Sequence, residues 1–137
     1  MRRVLLILLA LAGCQQLPLT PQDLQARKFE PVPDRAVIYL VRDTADVSDA
    51  ETPVQLGDKR VYTNPGTYYR WVVPAGKHTM TGFGADSGTI TVQVERGRVY
   101  FVQQWVAGTR MPGSTFLPVS EAAGRAAVLR SVLLTPR

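Results

Sequence analysis

The sequence predicts a mainly β protein: a small antiparallel β-sandwich of about seven short strands with a C-terminal helix. Three observations predict it. Short runs rich in β-branched and aromatic residues recur from Ala36 to Val119. Turn residues punctuate them, at Gly57-Asp58, Asn64-Pro65-Gly66, Pro74-Ala75-Gly76 and Gly97. After Ser120 the apolar period changes from two residues to a helical spacing.

The bounds agree with one ordinary domain plus short appendages. The chain has 137 residues, 45% hydrophobic and 20% charged, a composition of packed rather than disordered protein. The formal charge is +5; without Arg2 and Arg3 the 16 basic residues become 14 against 11 acidic, or +3. That excess is spread along the chain with no run of like charges, which argues against a nucleic-acid binder.

At the front, Arg2 and Arg3 precede the apolar run Val4 to Ala12. Nine residues make a helix of about 14 Å, too short for a bilayer core of about 30 Å. Residues 1–13 are therefore expected to be a secretory signal. Leu11-Ala12-Gly13-Cys14 resembles the lipobox of bacterial lipoproteins. That resemblance implies cleavage after Gly13 and diacylglycerol on the sulfur of Cys14, with further acylation of the new amine. It also explains a lone thiol in an exported chain. Two or three acyl chains would hold the protein on a membrane stably, where one would hold it only reversibly. Gln15, where an Asp would signal inner-membrane retention, implies the outer membrane, facing the periplasm. Residues 14–33, with Pro18, Pro21, Pro31 and Pro33, are expected to form an extended tether. Its reach would be about 50–60 Å, or less if Gln22 to Phe29 coils against the domain.

The domain is expected from residue 34 to 137. "AVIYLVR" (Ala36 to Arg42) is apolar on both alternating faces, the mark of a central, covered strand. Asp43 to Thr52 is acidic and reads as a loop. "PVQLGDKRVYT" reads as a hairpin about Gly57-Asp58. "TYYRWVV" (Thr67 to Val73) is the next strand, and "PAGK" turns into "HTMTG". "TITVQV" has the clearest alternation, with Ile90, Val92 and Val94 on one side. Through the turn "ERGR" it is expected to form a hairpin with "VYFVQQWVA" (Val99 to Ala107). Gly108 to Thr115 reads as a loop and "FLPV" as a last short strand. In the final helix Ala122, Ala126, Leu129 and Leu133 recur at helical spacing, Ser120 is the expected N-cap, and Gly124 weakens the helix by about 1 kcal/mol.

Three of these segments together resemble a family of small bacterial lipoproteins whose module is catalogued as domain of unknown function 2846. They are Asp34 to Arg42, Pro74 to His78, and Val94 to Val102, within a likeness covering Asp34 to Val119. Ala75 stands where that family often has proline. The resemblance implies an exported β-rich fold and no particular activity.

A search for chemistry leaves few candidates. The single histidine, His78, begins a strand with no catalytic motif around it, and no serine sits in a Gly-x-Ser-x-Gly turn. Zinc-type ligand sets are missing, so neither metal nor cofactor is expected. Asp43, Asp46, Asp49 and Glu51 make either an acidic solvated loop or an oxygen-rich calcium loop that lacks EF-hand spacing. On "TYYRWVV", Tyr69, Trp71 and Val73 share one face, Tyr68, Arg70 and Val72 the other. One set fills the core. The other either lies under the C-terminal helix or leaves Tyr68 and Arg70 exposed to stack on a sugar or grip a partner. The resulting expectation is an envelope lipoprotein acting as a non-enzymatic binding or accessory module, anchored by Cys14, with an envelope protein or glycan as partner and no nucleic acid. The alternatives are a small hydrolase using carboxylates, or an inhibitor that docks by an edge strand.

Overall fold

The computed structural model describes residues 17–84, 87–108 and 110–135. Two sheets pack face to face, with helices over the outer face of one. The element order is α1 (Pro21–Ala26), β1 (Ala36–Arg42), β2 (Thr52–Leu56), β3 (Lys59–Thr63), β4 (Thr67–Val73), β5 (Gly76–Gly82), β6 (Thr89–Val94), β7 (Val99–Ala107), β8 (Gly113–Val119), α2 (Glu121–Leu129) and β9 (Val132–Leu133). The fold is the expected mainly β sandwich with a C-terminal helix, with nine strands among the described residues.

The first sheet runs β8-β7-β1-β4-β9 and the second β3-β2-β5-β6. β1 is central and every residue of it is buried, as its apolar sequence requires. Its inner side chains Ala36, Ile38 and Leu40 meet Val54, Leu56 and Met80 of the second sheet, together with Tyr69, Trp71 and Val73. Its outer side chains Val37, Tyr39 and Val41 pack with Tyr68, Phe101, Ala127 and Val128 beneath the helices. The Tyr39 and Phe101 rings stack at 5.2 Å.

Three expectations are corrected here. β6 and β7 are consecutive strands but do not pair; β6 pairs with β5, while β7 lies parallel to β1 and antiparallel to β8. The turn between them crosses from one sheet to the other. It is held there by Gly97 N–H to Arg35 C=O at 2.8 Å and Val37 N–H to Arg98 C=O at 3.0 Å. The first sheet is therefore mixed, since β4 and β9 are also parallel. Second, α2 buries Gly124, Ala127 and Val128, whereas Ala122, Ala126 and Leu129 face solvent and Leu133 belongs to β9. Ser120 does cap the helix, accepting from Ala123 N–H at 3.2 Å. Gly124 is needed for packing: a Cβ there would stand 2.2 Å from Cγ of Phe101.

The third concerns the segment read as a tether, which takes the shorter of its two expected forms, coiled against the domain. Thr20 caps α1 by accepting from Asp23 N–H at 3.1 Å, with Pro21 in the first turn. The helix ends at Ala26, and the turn after it closes at Phe29, whose φ of 55° is left-handed and costs about 1–2 kcal/mol in a residue with a side chain. Burial of its ring offsets that cost by about 1.5–3 kcal/mol. The ring lies 5.4 Å from Tyr39 and 5.8 Å from Phe101, with the Arg125 guanidinium over it at 4.9 Å. Docking, not proline stiffness, governs this stretch.

Candidate functional site

Two buried polar nodes shape the surfaces on which a partner could act. The first is Arg42, the last residue of β1. Its side chain is wholly buried, and it donates to Asp46 Oδ2 at 2.7 Å and to the carbonyls of Ser48, Ala50 and Thr63 at 2.6, 2.7 and 2.9 Å. Asp46 in turn accepts from Val106 N–H at 3.1 Å. One guanidinium thus ties the 43–51 loop to β3 of the second sheet, while its carboxylate partner ties the loop to β7. Nearby, Thr63 Oγ1 donates to Gln104 Oε1 at 2.8 Å, and Gln104 Nε2 to Ser114 Oγ at 2.9 Å.

The second node is Asp23, on α1. Its carboxylate accepts from Tyr68 O–H at 2.6 Å, Arg27 Nε at 2.7 Å and Leu133 N–H at 2.9 Å. Burial pushes this carboxyl up, but the three hydrogen bonds and the Arg27 charge outweigh it and hold it below the ordinary value. The Tyr68 hydroxyl is pushed strongly up, first by burial and then by donating to a carboxylate. Arg27 also donates to the carbonyls of Leu129 and Ser131. Residues more than a hundred apart in sequence are joined here.

The acidic loop read as solvated or calcium-binding is divided: Asp49 and Glu51 are exposed, whereas Asp43 and the Asp46 side chain are buried. Asp46 is buried against Arg42, and Asp43 accepts from Arg130 at 2.6 Å. That hydrogen bond holds the Asp43 carboxyl below its usual value despite partial burial. Glu51 accepts from Asn64 Nδ2 at 3.3 Å. Among the described residues no group of three His, Cys, Asp or Glu converges as metal ligands would. His78 sits edge-on to Trp71 at 5.4 Å, with Nε2 2.7 Å from the Pro74 carbonyl oxygen.

Tyr68 and Arg70 share one face of β4, as the alternation requires, but the structure separates their environments. Tyr68 is fully buried under α1, which excludes it from an exposed binding face. Arg70 is half-buried and donates to the Glu30 carbonyl at 3.3 Å. It opens onto a groove of about 660 Å³ between α1, the 30–32 segment and β9, lined also by Gln25, Val32, Tyr69, Leu133 and Leu134.

This groove follows an open sheet edge. β9 covers only Thr67 and Tyr68 of β4. The pairing of β1 with β4, with Gly66 and Tyr68 carbonyls turned to β9, directs the backbone of Arg70 and Val72 away from β1. No described strand pairs with them on that side. A second groove, about 860 Å³, lies between the 17–19 segment and the end of α2, lined by Leu17, Leu19, Arg27, Leu129, Arg130 and Val132. Neither large groove brings two carboxylates together.

Neither node was legible as a contact before the fold was known. The spacing Asp23-x-x-x-Arg27 and Arg42-x-x-x-Asp46 was visible, but not that the pairs are buried. Leu11, Ala12, Gly13 and Cys14, the expected cleavage and lipidation residues, lie outside the described residues. The chain matches no protein-family model, and no curated protein matches it in sequence.

Proposed function

We propose that the protein is an envelope-anchored lipoprotein whose domain acts as a non-enzymatic binding or accessory module at the periplasmic face of the outer membrane. The N-terminal sequence supports the address through the signal-like run, the lipobox-like Leu11 to Cys14, and the likeness to the small-lipoprotein module named above. The binding role rests on one observation, the groove beside the unpaired half of β4. Its ligand is an extended peptide segment of an envelope protein. The peptide adds its backbone to the Arg70 and Val72 edge and drops alternate side chains toward Tyr69 and Arg70. A hydrolase reading has less support, because the two large grooves assemble no carboxylate pair.

A photo-crosslinking residue at Glu30, on the groove wall, tests the binding role in intact cells. The expected result is a discrete protein adduct from position 30 and none from position 96, in the turn between β6 and β7. Absence of any adduct at 30, or equal adducts at both, contradicts the groove as the binding site. The mass of the mature N-terminal peptide tests the address separately.

A further inference from the structure

Of the nine large apolar residues exposed among the described ones, five gather at one end of the sandwich, the others being Leu24, Tyr62, Phe83 and Leu117. β1 ends at Arg42, beside the start of β4 at Thr67 and the start of β9 at Val132. β7, parallel to β1, ends at Ala107 opposite the start of β8 at Gly113. Ser48 Oγ donates to the Gly108 carbonyl at 3.1 Å, which brings the 43–51 loop to the same end. Exposed there are Val47 at 82%, Met111 at 66%, Leu129 at 54% and Val132 at 51%, with Leu17 at 91% on the second groove. The opposite end is formed by Asp34 and Arg35, Pro74 and Ala75, and the Glu95–Arg98 turn. It carries charge, with Glu95 and Arg98 paired at the surface.

The chain leaves the domain at the apolar end. Leu17 is three residues from Cys14, a span of at most about 11 Å. α1 begins at Pro21, so the free length from Cys14 to the first docked element is at most about 25 Å, half the expected tether.

We propose that this end of the sandwich seats on the lipid surface entered by the acyl chains of Cys14, and that the domain stands end-on with the Glu95–Arg98 turn farthest from the membrane. This rests on the lipidation of Cys14 proposed above. Met111, Val47, Leu129 and Val132 enter the boundary between headgroups and acyl chains, while Asp49, Arg110 and Arg130 stay at headgroup depth. The short reach leaves little freedom to stand otherwise.

The test uses the full acylated chain, reconstituted in phosphatidylethanolamine–phosphatidylglycerol vesicles carrying nitroxide-labelled acyl chains. Cys14 is the sole cysteine, so Met111→Cys, Val132→Cys and Arg96→Cys each offer one free thiol for a fluorophore. Labels at 111 and 132 are expected to be quenched several-fold more than the label at 96. Equal quenching at both ends in protein that still floats with the vesicles overturns the orientation and leaves the anchor standing. Protein that carries no diacylglyceryl group on Cys14 and does not float overturns both.

Discussion

The two aspartate–arginine nodes have the same covalent recipe and different consequences. In each, a carboxylate and a guanidinium four residues apart meet at 2.7 Å. Arg42 and Asp46 are fully enclosed and hold β1, β3, β7 and the 43–51 loop together, so loosening them opens the junction of both sheets. Asp23 and Arg27 join only peripheral pieces, α1, the end of α2 and β9, to β4 near the rim of the first sheet. A buried ion pair matters by what it crosses: the first secures the body of the fold, the second makes the N-terminal segment part of it.

Breaking this contrast gives the largest effect first. Arg42→Met leaves the buried Asp46 side chain without its partner and three carbonyls without their donor. A global loss of about 3–5 kcal/mol is expected, read as one cooperative shift in urea unfolding by near- and far-UV dichroism. A separate step for the 43–51 loop alone contradicts the node's bridging role.

Gly124→Ala comes next. Helix propensity favours it by about 1 kcal/mol, yet the added methyl overlaps the Phe101 ring. A net destabilisation of about 1–3 kcal/mol is expected in thermal unfolding. A stabilised variant means that α2 does not press on β7.

Tyr68→Phe removes one donor from Asp23 while keeping the ring. The expected cost is about 1 kcal/mol, with α1 and β9 amides losing hydrogen-exchange protection and β1 amides keeping it. Equal loss in both sets erases the contrast between the nodes.

The gentlest perturbation is pH. Asp23 and Asp43 have folded values below their ordinary 3.8, so their contribution is complete well above that value. It is lost as pH falls through 3.8 toward the lower folded values, because the unfolded chain takes up protons first. Asp23→Asn is expected to flatten the acid limb of the stability curve. At the alkaline end Tyr68, raised from 10.0, works in the opposite direction: stability erodes as pH climbs above 10, where the unfolded tyrosine ionises and the buried one does not.

The strands were legible because alternation and turn residues are local. β1, with no polar position before Arg42, announced its central place, and Ser120 announced the helix start. Partners were not legible. Alternation in "TITVQV" and "VYFVQQWVA" marks two strands but not their neighbours, and two backbone bonds at Arg35 and Val37 place β7 beside β1 instead. Arg42 reads as the polar end of a strand, since the carbonyls that enclose it come from 48, 50 and 63. Alternation left Tyr68 either covered or exposed, and what covers it, α1, comes from a segment 45 residues away. Prolines suggested an extended stretch, while Asp23, Ala26 and Phe29 dock it through contacts from both ends of the chain.

The docking of that stretch underlies the short anchor and the end-on stance proposed above. Hydrogen exchange on the native protein tests it most directly, at the Leu24, Arg27 and Leu134 amides, which donate to Thr20, Asp23 and Tyr68 carbonyls. Exchange orders of magnitude slower than in an unstructured peptide, with α1 and β9 opening together, is the expected result. Free-peptide rates at Leu24 and Arg27, beside a protected β1, would contradict it.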